Sequence, residues 1–190
     1  MIFFTIIISL LLGSSIIPAT AAEILHSKIS LKNGIINYQF NASVNATPNA
    51  VFNVLSNHKY LPQLNKHIKS STQESIGTKT IRIFKLEKCI LNFCFDLNFE
   101  EEIEFSANSM SLVIIADGSS FHSGRSKWVT KKISGNQTRI SITGQLKPKF
   151  WIPPVIGVYF LDKVFNEQIS ETVANLERKA NERNEKAILF

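Results

Sequence analysis

Glu101 is the residue whose setting most invites chemistry. In the stretch FCFDLNFEEEIEF the odd positions are Phe93, Phe95, Leu97, Phe99, Glu101, Ile103 and Phe105. The even positions are Cys94, Asp96, Asn98, Glu100, Glu102 and Glu104. Side chains along a strand alternate between its faces. One face is therefore apolar apart from Glu101, and the other is acidic and wet. A carboxylate on the apolar side has to be paired or protonated, and Arg82 and Arg125 are candidate partners. So placed, Glu101 would offer a polar contact within an otherwise apolar interior. A β-bulge at 100–102 would instead turn it outward, and the residues leave both readings open.

The chain has two cysteines, Cys89 and Cys94, five positions apart. On one continuous strand they would lie about 16 Å from each other, beyond the roughly 7 Å that a disulfide tolerates between Cα atoms. Either the thiols are unrelated, two buried sulfurs on one strand, or the chain turns between them. Trp128 shares its face with Ser126 and Thr130 and either lines a cavity or fills one. His26, His58, His67 and His122 are scattered, so no metal site is expected, and no cofactor. HExxH, CxxC, G-x-S-x-G and a Gly-rich phosphate loop are all missing from the sequence. An enzyme is therefore not the first expectation, although Glu101 with His122 could serve as acid or base.

Residues 1–22, MIFFTIIISLLLGSSIIPATAA, carry no charged side chain and end in small residues. They read as a signal peptide cleaved near Ala22, too short in its apolar core for the ~20 residues of a membrane span. The alternative is an N-terminal membrane anchor. Residues 23–190 then form one domain in a periplasmic setting, where two cysteines are more often bonded than free. That favours a turn between them. The sequons at Asn41, Asn45 and Asn136 have no consequence in a bacterial periplasm.

Lys and Arg number 21 against 15 acidic residues, a net charge of +6. The basic residues are dispersed and often alternate with apolar ones, as on a solvated sheet face. Nucleic-acid binding, which needs a basic stripe with exposed aromatics, is not expected. A transient contact with an anionic membrane surface is compatible with the charge, and Phe150-Trp151-Ile152 could make it; the same residues could equally staple a helix onto the core.

The elements that must position these residues follow from periodicity. Residues 35–45 alternate, with Ile36, Tyr38, Phe40, Ala42 and Val44 facing one way. Thr47 and Pro48 then predict an N-cap and a first helical turn. A helix over NAVFNVLSN is expected to bury Val51, Phe52, Val54 and Leu55, followed by a second short helix interrupted by Pro62. Strands are predicted near 68–76, 78–88, 94–105, 110–117, 121–133 and 137–147, separated by polar turns typical of an antiparallel meander. From Pro153-Pro154 onward, apolar residues at 158, 161, 165, 169, 173, 176 and 180 predict one long amphipathic helix. A helix with one apolar stripe and a sheet with one apolar face bury each other.

Three stretches in this order resemble the START-like superfamily, which contains Bet v 1-type lipid carriers, polyketide cyclase/dehydrases and coenzyme Q-binding proteins. NATPNAVFNVLSNHKYLPQLNKHIKSS is similar to the family's opening helices, GRSKWVTKKISGNQTRISITGQLKP to its late strand pair, and FWIPPVIGVYFLDKVFNEQISETVANLERKA to the approach to its C-terminal helix. The resemblance covers essentially residues 23–190. It implies an α+β helix-grip fold: a curved antiparallel sheet of about seven strands wrapped around the C-terminal helix, with two short helices after the first strand. It implies a hydrophobic small molecule or lipid held between sheet and helix in a cavity of several hundred Å3. The implied lining is Leu61, Phe95, Leu97, Phe99, Glu101, Ile103, Arg125, Trp128, Ile142, Trp151 and Tyr159. The secreted branch of the family also implies a Cys89–Cys94 disulfide across a hairpin whose loop is Ile90-Leu91-Asn92-Phe93. The protein expected on these grounds is an exported, monomeric carrier or binding protein. A cyclase or aromatase using the same cavity is the alternative, and an interaction module whose cavity is filled by its own side chains is another.

Overall fold

A computed structural model of the chain describes residues 22–90, 93–153 and 156–188. The signal peptide expected at 1–22 falls, apart from Ala22, outside the described residues, as do Leu91 and Asn92 of the expected hairpin loop. Eight strands form one antiparallel sheet: β1 (Glu23–Lys32), β2 (Ile35–Asn45), β3 (Ile68–Ile76), β4 (Lys79–Ile90), β5 (Phe93–Ser106), β6 (Ser109–Ile114), β7 (Phe121–Ser134) and β8 (Gln137–Pro148). Their order in the sheet is β1-β2-β8-β7-β6-β5-β4-β3. β3 to β8 thus follow one another as a meander, and β2 closes onto β8.

The sheet has eight strands rather than about seven. The additional one is β1, so the short helices follow the second strand and not the first. β1 ends at Asn33-Gly34, both with positive φ (52° and 72°). An Asn-Gly pair supplies the turn that the right-handed twist of a hairpin needs, and Lys32 pairs with Ile35 across it.

Between β2 and β3 lie α1 (Pro48–Ser56), a 3-10 turn (His58–Tyr60) and α2 (Leu61–Leu64). Thr47 caps α1 by accepting from the Ala50 N–H at 3.4 Å, and Pro48 occupies the first turn, where a missing N–H costs nothing. Val51, Val54 and Leu55 are buried as expected, whereas Phe52 is half-buried. Pro62 begins α2 instead of interrupting a helix, for the same reason as Pro48.

The last element, α3 (Ile156–Ile188), lies against β1, β2, α1 and α2. Its C-terminal half is held firmly: Val173, Leu176 and Ala180 are buried with Phe40, Val44, Val51, Val54, Met110 and Ile140. Its N-terminal half is looser, with Leu161 and Phe165 only half-buried; the Val158 side chain lies outside the described set. The solid core therefore occupies one end of the sheet. Towards the other end Phe165 meets Tyr38 at 5.9 Å between ring centroids, and Tyr38 borders a cavity.

Candidate functional site

β4 and β5 pair without a register shift, with Arg82 opposite Glu101, Phe84 opposite Phe99 and Cys89 opposite Cys94. With no bulge at 100–102, parity alone decides the face, and Glu101 points inward at 6% exposure. Its partner is Arg82, 1% exposed. Arg82 Nε donates to Glu101 Oε1 at 2.6 Å, and Nη2 also meets Oε1. Burial pushes the Glu101 carboxyl above its ordinary range, while the adjacent guanidinium pulls it back down. The third guanidinium nitrogen, Nη1, is buried and has no acceptor among the described residues.

These two residues form the polar spot of a cavity of about 130 Å3 between the sheet and α2. Aromatic rings surround it. Phe84 and Phe99 stack at 4.4 Å, and the Arg82 guanidinium lies 5.8 Å from the Phe84 centroid and 5.9 Å from that of Trp128. Trp128 Nε1 donates to Ser126 Oγ at 2.6 Å. Ser126 also bonds the Tyr38 hydroxyl, whose pKa burial raises and that bond partly restores. Leu61, Ile68, Leu112, Ile114 and Leu146 supply the aliphatic walls. Gly144 leaves the space that the Tyr38 ring occupies, because a Cβ there would lie 2.4 Å from the ring.

Of the residues expected to line a cavity, Leu61, Phe99, Glu101 and Trp128 do so. Arg125 borders the space, but its side chain is exposed, and with the Gln145 amide oxygen turned towards it Nε donates at 2.9 Å. Phe95 lies beyond the covered part of the hairpin and is 44% exposed. Leu97 is half-buried beside its cross-strand partner Leu86. Ile103 and Ile142 pack into or against the core instead, although each pairs with a residue of the cavity wall, Leu112 and Trp128 respectively. Trp151 and Tyr159 face outward, 79% and 67% exposed. The cavity is also smaller than several hundred Å3, because the rings of Tyr38, Phe84, Phe99 and Trp128 project into it. Tyr38, Phe84 and Ser126 were absent from the expected lining. Each sits on the parity of a residue already placed inward, namely Phe40, Arg82 and Trp128.

Cys89 and Cys94 form a disulfide. The ladder runs one pair further, to Ile90 and Phe93, so both residues expected in a four-residue loop belong to strands. Among the described residues no group of three His, Cys, Asp or Glu side chains is placed to hold a metal. His67 Nδ1 donates to the Glu87 carbonyl and Nε2 accepts from Lys88 Nζ, each at 3.1 Å.

No model of a known protein family matches the sequence, and no curated protein is significantly similar to it. Solved structures do share its fold. The Zhui aromatase/cyclase from a Streptomyces species superposes with a TM-score of 0.60 at 9% identity, over 78% of this chain and 95% of that one. A START superfamily protein from Mycobacterium smegmatis gives 0.57 at 14%, over 76% and 96%. Human STARD10 gives 0.56 at 7%, over 86% and 78%. With its antiparallel sheet, short helices and long C-terminal helix, the chain has the START-like helix-grip fold.

Proposed function

We propose that the protein is an exported binding protein or carrier for a hydrophobic small molecule or lipid. The observation that carries this reading is Arg82 Nη1, a buried cationic donor without an acceptor among the described residues, at the wall of an otherwise apolar cavity. A buried donor left unpaired costs on the order of 1–3 kcal/mol, which a ligand acceptor would restore. A carbonyl, hydroxyl or carboxylate would take Nη1, and the apolar body would lie against Phe84, Phe99 and Trp128. The space of about 130 Å3 holds roughly one ring. A longer chain would have to displace α3 near Leu161 and Phe165, which are only half-buried. The disulfide supports export, because such bonds persist in oxidising compartments.

The test is native mass spectrometry of protein purified from its own envelope, followed by organic extraction. A bound apolar species carrying an acceptor is expected. Replacing the pair together, Arg82→Met with Glu101→Leu, keeps the interior neutral and should weaken that species about tenfold or more, the worth of a hydrogen bond to a charged group. Undiminished retention by the double variant would overturn the assignment. Catalysis is the second reading, favoured by the upward-shifted Glu101 carboxyl beside a fixed cation, a pair able to polarise and protonate a bound carbonyl. Glu101→Gln would then abolish turnover of a bound compound while binding persisted.

A further inference from the structure

We propose that Phe150, Trp151 and Tyr159 form a surface by which the protein docks peripherally on an anionic phospholipid membrane. The inference extends the carrier reading, on which only its purpose rests. Trp151, 79% exposed, belongs to the connection between β8 and α3, and Tyr159, 67% exposed, lies on the first described turn of α3. Trp and Tyr combine an apolar ring with a polar handle, the chemistry of the membrane–water interface. Lys147 and Lys149, next to Phe150 and Trp151 in the chain, are exposed, as is Lys163 next to Asp162 on the helix; Asp117 and Glu100 lie at the loop that Lys149 contacts. The whole chain carries a net charge of +6, which complements acidic headgroups. Among the described residues no helix is long and apolar enough to cross a membrane, so the contact proposed is one of side chains at an interface.

The segment is held so that its rings stay outside. The Lys149 N–H donates to the Ser120 carbonyl at 3.0 Å, and Lys149 Nζ donates to that of Ala116 at 2.6 Å. Phe150 is the hinge between surface and interior. Its ring meets that of Phe121 edge-on at 6.1 Å, Phe121 meets Phe99 at 4.8 Å, and Phe99 lines the cavity. A continuous row of aromatic rings therefore leads from the exposed patch to the binding site. Insertion of Phe150 and Trp151 into acyl chains would disturb that row at its outer end and open a path along it.

The experiment uses the full chain and vesicles of phosphatidylcholine and phosphatidylglycerol whose acyl chains carry bromine, with no cargo present. Bromine quenches only those tryptophans that reach it, and the chain has two, Trp128 and Trp151. Emission should be quenched in the wild type, and most of that quenching should be lost in Trp151→Phe, a change tolerable at so exposed a position. Quenching should also weaken without phosphatidylglycerol and in high salt. Equal quenching in both proteins, or none while the protein still sediments with vesicles through its apolar leader, would overturn the proposal. So would a lipid-free dimer that Trp151→Phe dissolves, since the patch would then belong to a second copy. Failure here leaves ligand retention by Arg82 untouched, so the two proposals fail separately.

Discussion

Arg82 and Glu101 face each other across the β4–β5 ladder, and the guanidinium directs both Nε and Nη2 at a single carboxylate oxygen, Oε1. That geometry leaves one donor, Nη1, uncommitted inside the protein. It also sets up an asymmetry in what substitutions will do.

Arg82→Met alone strands a buried carboxyl and should destabilise the fold by about 3–5 kcal/mol, whereas Arg82→Met with Glu101→Leu should be nearly neutral or stabilising. Urea unfolding of the single and double variants measures both. Equal losses in the two would mean that the pair's packing matters more than its charge.

Gly144 faces Tyr38, and a methyl group there would sit 2.4 Å from the phenol ring. Gly144→Ala should cost about 1–3 kcal/mol by overpacking. Adding Tyr38→Leu should recover part of it by removing the ring that clashes. A double-mutant cycle in thermal unfolding reads the coupling, and strict additivity would contradict the close approach.

The Cys89–Cys94 bond closes a small loop and should contribute about 2 kcal/mol through the unfolded chain. Reduction is expected to lower the melting temperature without removing the β-sheet signal in circular dichroism. Under denaturing conditions, alkylation should find no thiol before reduction and two after it.

His67 is held neutral: partial burial and the Lys88 ammonium lower its pKa, against a smaller opposing pull from the Glu87 carbonyl. A histidine whose folded pKa lies below its unfolded value binds protons first in the unfolded chain. Its contribution is complete above about pH 6.5 and is lost as the pH falls through the folded pKa. Stability measured from pH 7 to 5 should therefore fall more steeply in the wild type than in His67→Gln, whose amide can still accept from Lys88. Parallel curves would show that His67 does not set the slope.

Much of the fold was legible because period two and period 3.6 survive in the text of the chain. β2 lies at 35–45 as read from its alternation, and the apolar positions 169, 173, 176 and 180 of α3 meet the core. β1 escaped notice although its hairpin turn, Asn33-Gly34, is written plainly. Its strand, EILHSKISLK, is an edge with half-exposed side chains and a register shift between Ile24 and His26, so its alternation is blurred. Trp151 and Tyr159 were misplaced for a related reason: apolar composition near a helix start does not say which way a ring points.

By itself the sequence determined that one carboxylate stands in an apolar row and that two arginines could answer it, since both follow from counting residues. Which face that row takes depends on register, and one bulge would have reversed it. The tertiary structure decided that no bulge occurs, that Arg82 and not Arg125 lies opposite Glu101, and that converging rings reduce the interior to about 130 Å3. Strand pairing and ring packing join residues distant along the chain, and local periodicity carries no record of which distant residues meet.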